Sequence, residues 1–336
     1  PSSMAFYQLL EAFDWAQRHG TDVGFDKSVT VPVGEYDLPQ LRDGKQLYMG
    51  YDRGITVPAG AVLNIHTPVD LTNGYLTVEE GGVVNFFAGV SSYQNGRVTV
   101  DGEVNVYGNA WLEHSDTAVG GIMRTYGNLN LFDNNMIVSG ELSCYGYVGY
   151  GYNSLTVLEG GTLNIDIATD ENGEILSVGY LEAFGDMDVY GTVNLYGNCL
   201  MGDWVEEGGD VGWNWMTVYE GGTLNIESKY DEARASLTLQ TNGRLTVYGT
   251  VQQKNTSFIT NNGGCIEIFD NGVYDESAGF GYIEQNPAYS GNTGRDYYGW
   301  LAEGLPRDRI TVFTFVDSGE DITLMRKEYG EGGYQH

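Results

Sequence analysis

The sequence predicts an all-β fold: a single-stranded, right-handed parallel β-helix with an α-helix capping its N-terminal end. Three observations carry that reading. One unit recurs along most of the chain, an aliphatic-Thr-Val strand, a tight glycine turn and an aliphatic-Asn-aliphatic strand. The strands keep their length while the segments between units vary. Glycine is abundant at 49 of 336 residues while proline is scarce at 7, which supplies corners and excludes collagen.

The elements follow in chain order, as three segments: a helix over 1–20, a β-helix of about ten coils over 21–275, and an irregular aromatic segment with cap strands over 276–336. Residues Ser3 to Arg18 form the helix, with Ser3 as N-cap, an apolar stripe of Phe6, Leu9, Leu10 and Phe13, and Gly20 past its end. Clear copies of the unit are Ile55 to Ile65, Leu76 to Phe86, Val98 to Val106, Leu155 to Ile165, Met187 to Leu195 and Met216 to Ile226. Met123 to Leu131 is an equally clear copy, and Val29 to Leu38, Ile137 to Gly146 and Leu237 to Val251 are degenerate ones. Alternation along each strand turns Leu163, Ile165, Val193, Leu195, Leu224 and Ile226 inward. A single hairpin cannot bury such a face, but coils stacked about 4.8 Å apart close it into one aliphatic column. Gly81, Gly82, Gly160, Gly161, Gly221 and Gly222 take the corners, where a positive φ is needed. After Gly272 the repeat fades, and Ile310 to Tyr329 reads as two final strands, a cap in preference to the start of another module.

Outward columns follow from the same alignment. Asn64, Asn85, Asn105, Asn130, Asn164, Asn194 and Asn225 form an amide ladder. Aromatic residues recur after the second strand (Tyr107, Phe132, Tyr145, Tyr196) and after the first (Tyr126, Tyr190, Tyr219, Tyr248). A threonine column (Thr30, Thr56, Thr77, Thr99, Thr156, Thr217, Thr238, Thr246) is single, whereas ice binding needs two on one flat face.

Lys plus Arg number 16 against 46 Asp plus Glu, a net charge of −30. That field disfavours nucleic acid, anionic membranes and anionic polysaccharides. Tyr (25), Phe (12) and Trp (6) together with 41% hydrophobic residues exclude a disordered acidic tail. No apolar run is long enough to span a membrane, and the first residues lack the features of a signal peptide. Cys144, Cys199 and Cys265 suit neither a disulfide scaffold nor zinc, and read as thiols packed in a wall.

The LTV-x-EGG-TLNI units, with their VYGTVNLYGN continuations, resemble the repeats of bacterial surface β-helix proteins. These are adhesin-type autotransporter passengers and large repeat-rich surface proteins of gut bacteria. The resemblance covers Val29 to Gly272 and implies a secreted, cell-surface location and roles in adhesion.

Chemistry finds little material. Glu206, Glu207, Asp210, Asp231 and Glu232 lie in variable excursions as solvated charge, and neither His66 nor His114 has a neighbouring acidic motif that suggests a catalytic pair, so a plain polar contact is expected of each. A Ser/His/Asp hydrolase lacks its nucleophile elbow. No catalytic residue, metal ligand or cofactor is expected. Calcium is the one metal that the acidic turns Asp166 to Glu174 and Phe269 to Gly272 suggest, without a matching spacing. Ligand binding falls to Tyr190, Tyr196, Trp213, Trp215, Tyr219 and Tyr248, since aromatic faces stack on neutral sugars. The expected function is a non-enzymatic structural or adhesive module of the bacterial surface, within a larger parent chain. Its partner is a host or neighbouring cell-surface protein or a neutral glycan; a glycan-active or glycan-binding β-helix is the alternative.

Overall fold

The computed structural model describes residues 2–202, 214–240, 243–261, 265–269, 272–275, 281–285, 310–317, 322–330 and 333–335. The chain is a parallel β-helix with an N-terminal α-helix, and it divides into two compact units, Pro1–Asn153 and Ser154–His336.

In the first unit each coil has three strands, one on each of three walls. Wall one runs through Val29–Thr30, Gly54–Val57, Tyr75–Val78, Arg97–Val100, Asp116–Val119 and Asn135–Val138, all parallel. Wall two runs through Gly34–Leu38, Ala61–Ile65, Val83–Phe86, Glu103–Val106, Ile122–Thr125 and Glu141–Cys144. Wall three, from Val23–Gly24 and Leu47–Tyr48 to Leu129–Phe132, occupies what the repeat treats as a variable spacer. Its strands are short and, except for the LNLF of Leu129–Phe132, lack the Thr-Val and Asn signatures, so pairing rather than sequence reveals them.

The second unit repeats the three walls with longer coils. Asn164, Asn194 and Asn225 follow one another at 30 and 31 residues, against 19 to 21 along the same column of the first unit. Part of the extra length is an antiparallel hairpin, Ile167–Thr169 with Ile175–Val178. The Asp170 carboxylate closes its turn by accepting the backbone N–H groups of Asn172 and Glu174 at 2.8 and 2.9 Å. The acid of that turn therefore serves the backbone. Parallel pairing continues beyond residue 275, where Gly281–Gln285 joins Ser257–Asn261. Ile310–Asp317 then turns antiparallel onto Cys265–Phe269 and pairs with Ile322–Gly330.

Leu163, Val193 and Leu224 stand in register, as do Ile165, Leu195 and Ile226, and all six are at most 1% exposed. Cys144 in the first unit and Cys199 in the second are each fully buried, which pushes each thiol up to about 12. The N-terminal helix, Ser2–His19, includes Ser3 in its body. It packs Phe6, Leu9, Phe13 and Ala16 onto the first strands of walls one and three, and Phe6 meets Tyr36 edge-on at 4.9 Å.

The pairing corrects part of the alignment. Met123 to Leu131 is a copy shifted by one wall: Arg124 lies opposite Asn105 on wall two, and Asn130 opposite Trp111 on wall three. Asn130 is therefore outside the amide ladder, and Thr238, opposite Leu200, is outside the threonine column. A period-2 pattern shows which way a side chain points but not which wall its strand joins. The true ladder is directional: Asn85 Nδ2 donates to Asn64 Oδ1 and Asn105 Nδ2 to Asn85 Oδ1, both at 2.9 Å. Arg124 ends this run, donating to Asn105 Oδ1 at 3.2 Å and Glu103 Oε1 at 2.8 Å. Asn105 first and Arg124 next hold the Glu103 carboxyl below its ordinary value.

The corner glycines divide by role. Gly81, Gly160 and Gly221 have φ between 79° and 82°, whereas Gly82 and Gly222 are needed for close approach to the preceding coil. Gly121 shows why: a Cβ there would lie 2.1 Å from the Gly102 carbonyl oxygen. Gly121→Ala is expected to lower unfolding stability by about 1–3 kcal/mol, because backbone rather than a flexible side chain must shift. A urea midpoint equal to that of the parent would refute the close-approach account.

Candidate functional site

Parallel coils in register place equivalent residues one strand spacing apart, so aromatic rings at a corner must stack. After wall two of the first unit, His66, Phe87, Tyr107, Tyr126 and Tyr145 form one such stack. Successive centroids are 4.7, 5.2, 4.9 and 4.9 Å apart and the planes lie within 9° of parallel. Tyr126 thus belongs with Tyr107 and Tyr145, and Phe132, at the end of a wall-three strand, is not a member. His66 and Phe87 were absent from the predicted column, although each directly follows the aliphatic-Asn-aliphatic strand. The repeat position was the available signal.

In the second unit Tyr190, Tyr219 and Tyr248 follow wall one. Their centroids are 4.2 and 6.4 Å apart. Tyr219 also donates its hydroxyl to Asp188 Oδ1 at 3.1 Å. Burial first, then the Tyr190 hydroxyl and the Asp188 charge, push its phenol well above the ordinary value. Tyr196 stands at the next corner under the Lys229 ammonium, 3.7 Å from the ring centroid, and Lys229 also reaches Asp166 at 2.6 Å. Trp215 points outward from wall one, with the Arg244 guanidinium 3.8 Å over its ring and its Nε1 donating to Thr246 at 2.7 Å. Trp213 lies outside the described residues, as do Glu206, Glu207 and Asp210, while Asp231 and Glu232 are exposed in a turn.

Stacking has a chemical consequence. A ring between two parallel neighbours has both faces covered and offers solvent only its edge and hydroxyl. Phe87, Tyr107, Tyr126 and Tyr219 are in this position, and Trp215 has one face under Arg244. The wall is therefore suited to edge and hydroxyl contacts rather than to sugar stacking on these four rings. Tyr107→Ala is expected to cost about 1–3 kcal/mol, since it removes two ring contacts worth about 0.5–1.5 kcal/mol each. An unchanged urea midpoint would show that the stack is decoration.

A second feature sits at the corner between walls three and one. Asp52, Asn73, Asn95, His114 and Asp133 occupy it in successive coils, all left-handed with φ between 45° and 59°. Asn, Asp and, to a lesser degree, His tolerate that conformation. They line a cleft of about 620 Å³ together with Tyr51, Arg97, Asp116 and Asn135. Arg97 pairs with Asp52 at 2.7 Å, and His114 Nδ1 lies 2.5 Å from Asp133 Oδ2 with Nε2 3.5 Å from Glu113. His66 likewise faces Asp37 at 3.6 Å. Both histidines thus make the polar contacts expected of them, and the partner in each case is a carboxylate. Asp133 is 19 residues from His114, one coil away, so no local motif could show the pair.

Among the described residues no group of three or more His, Cys, Asp or Glu is arranged to hold a metal ion. No described helix is long and apolar enough to cross a membrane.

The chain is a β-helix repeat protein. No protein-family model matches it, and no curated protein matches it either. Among solved structures it is similar to a TibA fragment hyper-glycosylated by TibC, at 18% identity and a TM-score of 0.30. That match covers 80% of this chain and 96% of the other. The fold rests on the strand register, not on this likeness.

Proposed function

We propose that the chain is a non-enzymatic structural or adhesive module of an extracellular, bacterial-surface protein. It holds surface groups in fixed columns for a neighbouring surface protein or a neutral glycan. The five-ring stack from His66 to Tyr145 is the observation that supports this reading most. Side chains that hold one another from coil to coil form a stiff surface, as a structural or adhesive module needs. A net charge of −30 suits a neutral partner.

Glycan chemistry is the second reading, favoured by one observation. Asp186 and Asp188 flank the buried Met187 on one strand, beside Trp215 and Arg244. Burial, then the Asp188 charge, raises the Asp186 carboxyl. A polysaccharide-degradation screen with the full chain separates the readings. The module predicts no reducing ends and no unsaturated products, with adherence to surfaces that depends weakly on salt. Product release that is abolished by Asp186→Asn would replace it with the enzyme reading.

A further inference from the structure

We propose that the corner cleft of the first unit, lined by the left-handed column from Asp52 to Asp133, is a binding site for an extended, neutral oligosaccharide. This rests on the reading of the chain as a recognition module, and it supplies that reading with a site and a ligand class.

The hydrogen-bonding capacity of the cleft selects the ligand. Its arginine and its imidazole are both engaged: Arg97 holds Asp52, and the His114 ring stands against Asp133. Asn95 Nδ2 donates to Asn73 Oδ1 at 3.2 Å, which leaves the Asn95 carbonyl and the Asn73 amide available. Asp116 and Asn135, opposite one another on adjacent wall-one strands, have no side-chain partner among the described residues. What remains is an alternation of acceptors and donors with a single uncompensated carboxylate. An anion would meet three carboxylates, Asp52, Asp116 and Asp133, with the one arginine already paired, and among the described residues no three His, Cys, Asp or Glu are arranged to hold a metal ion. A hydroxyl group both donates and accepts, so a polyhydroxylated ligand matches such an alternation along its whole length.

The dimensions agree. Five coils span about 19 Å at the strand spacing, and the column offers one polar side chain per coil, a step close to the length of one pyranose unit. Tyr51 supplies the apolar surface that a sugar ring needs. It lines one end of the cleft, is 79% exposed and has no stacking partner among the described residues. It is therefore free to offer a ring face where Phe87, Tyr107, Tyr126 and Tyr219 are not.

The test is a titration of the full chain, followed by NMR and calorimetry, with four neutral probes: cellotetraose, maltotetraose, mannotetraose and laminaritetraose. The expected result is saturable binding of at least one tetrasaccharide, little changed by added salt. Asp116→Ala and Tyr51→Ala should each weaken it by about tenfold. Thr223→Ala, in the second unit, should leave it unchanged, and Asp116→Asn should retain part of it with the fold intact by circular dichroism. Absence of binding to all four probes, or binding that survives both Asp116→Ala and Tyr51→Ala, would overturn the proposal. The size of each probe after incubation is read separately. Cleavage would overturn the non-enzymatic reading, whereas binding without cleavage supports both.

Discussion

Removal of residues 1–20 is expected to make the chain aggregate. The helix Ser2–His19 buries Phe6, Leu9, Phe13 and Ala16 to 5% exposure or less. Without it those apolar contacts are lost, and burial of a large side chain is worth about 1.5–3 kcal/mol. The second consequence is greater. Val29–Thr30 pairs in parallel with Gly54–Val57 and has the helix on its other side. Once uncovered, the first coil presents strand edges and the open end of an aliphatic column, which is a template for another chain. Size-exclusion chromatography with light scattering measures this directly. A truncated chain that stays monomeric, with an unchanged unfolding midpoint, would show that the helix does not protect the coil end.

Leu224→Ala is expected to destabilise the second unit by about 2–5 kcal/mol, the range for truncating a fully buried leucine. Leu224 is 0% exposed and stands between Val193 of one coil and Val251 of the next. Parallel coils hydrogen-bonded on both sides cannot close around the lost methyl groups, so the cavity persists. Its neighbour Thr223 points outward, and Thr223→Ala should change stability by about 0.5 kcal/mol or less. Urea unfolding of the pair of variants tests both statements. A loss below about 1 kcal/mol for Leu224→Ala would mean that the column is loosely packed.

The sequence alone determined the direction of each side chain. Alternation of Leu163, Asn164 and Ile165 turns the aliphatic residues inward and the amide outward, because successive Cβ atoms leave a strand on opposite sides. It also determined the need for stacking, since one coil cannot bury its own face, and the capping helix, through the stripe of Phe6, Leu9 and Phe13. Tertiary structure decided which residues become neighbours. Coils differ in length, 19 to 21 residues along the first unit's amide column and 30 to 31 in the second, so no fixed period carries register from one coil to the next. Hydrogen bonding between coils sets that register. It moved Arg124 into the amide ladder in place of Asn130, joined Tyr126 to Tyr107, and brought His114 to Asp133. The cleft at the corner arises in the same way: each of its polar residues is an ordinary turn residue in its own coil, and only the stacking of coils sets them in a row.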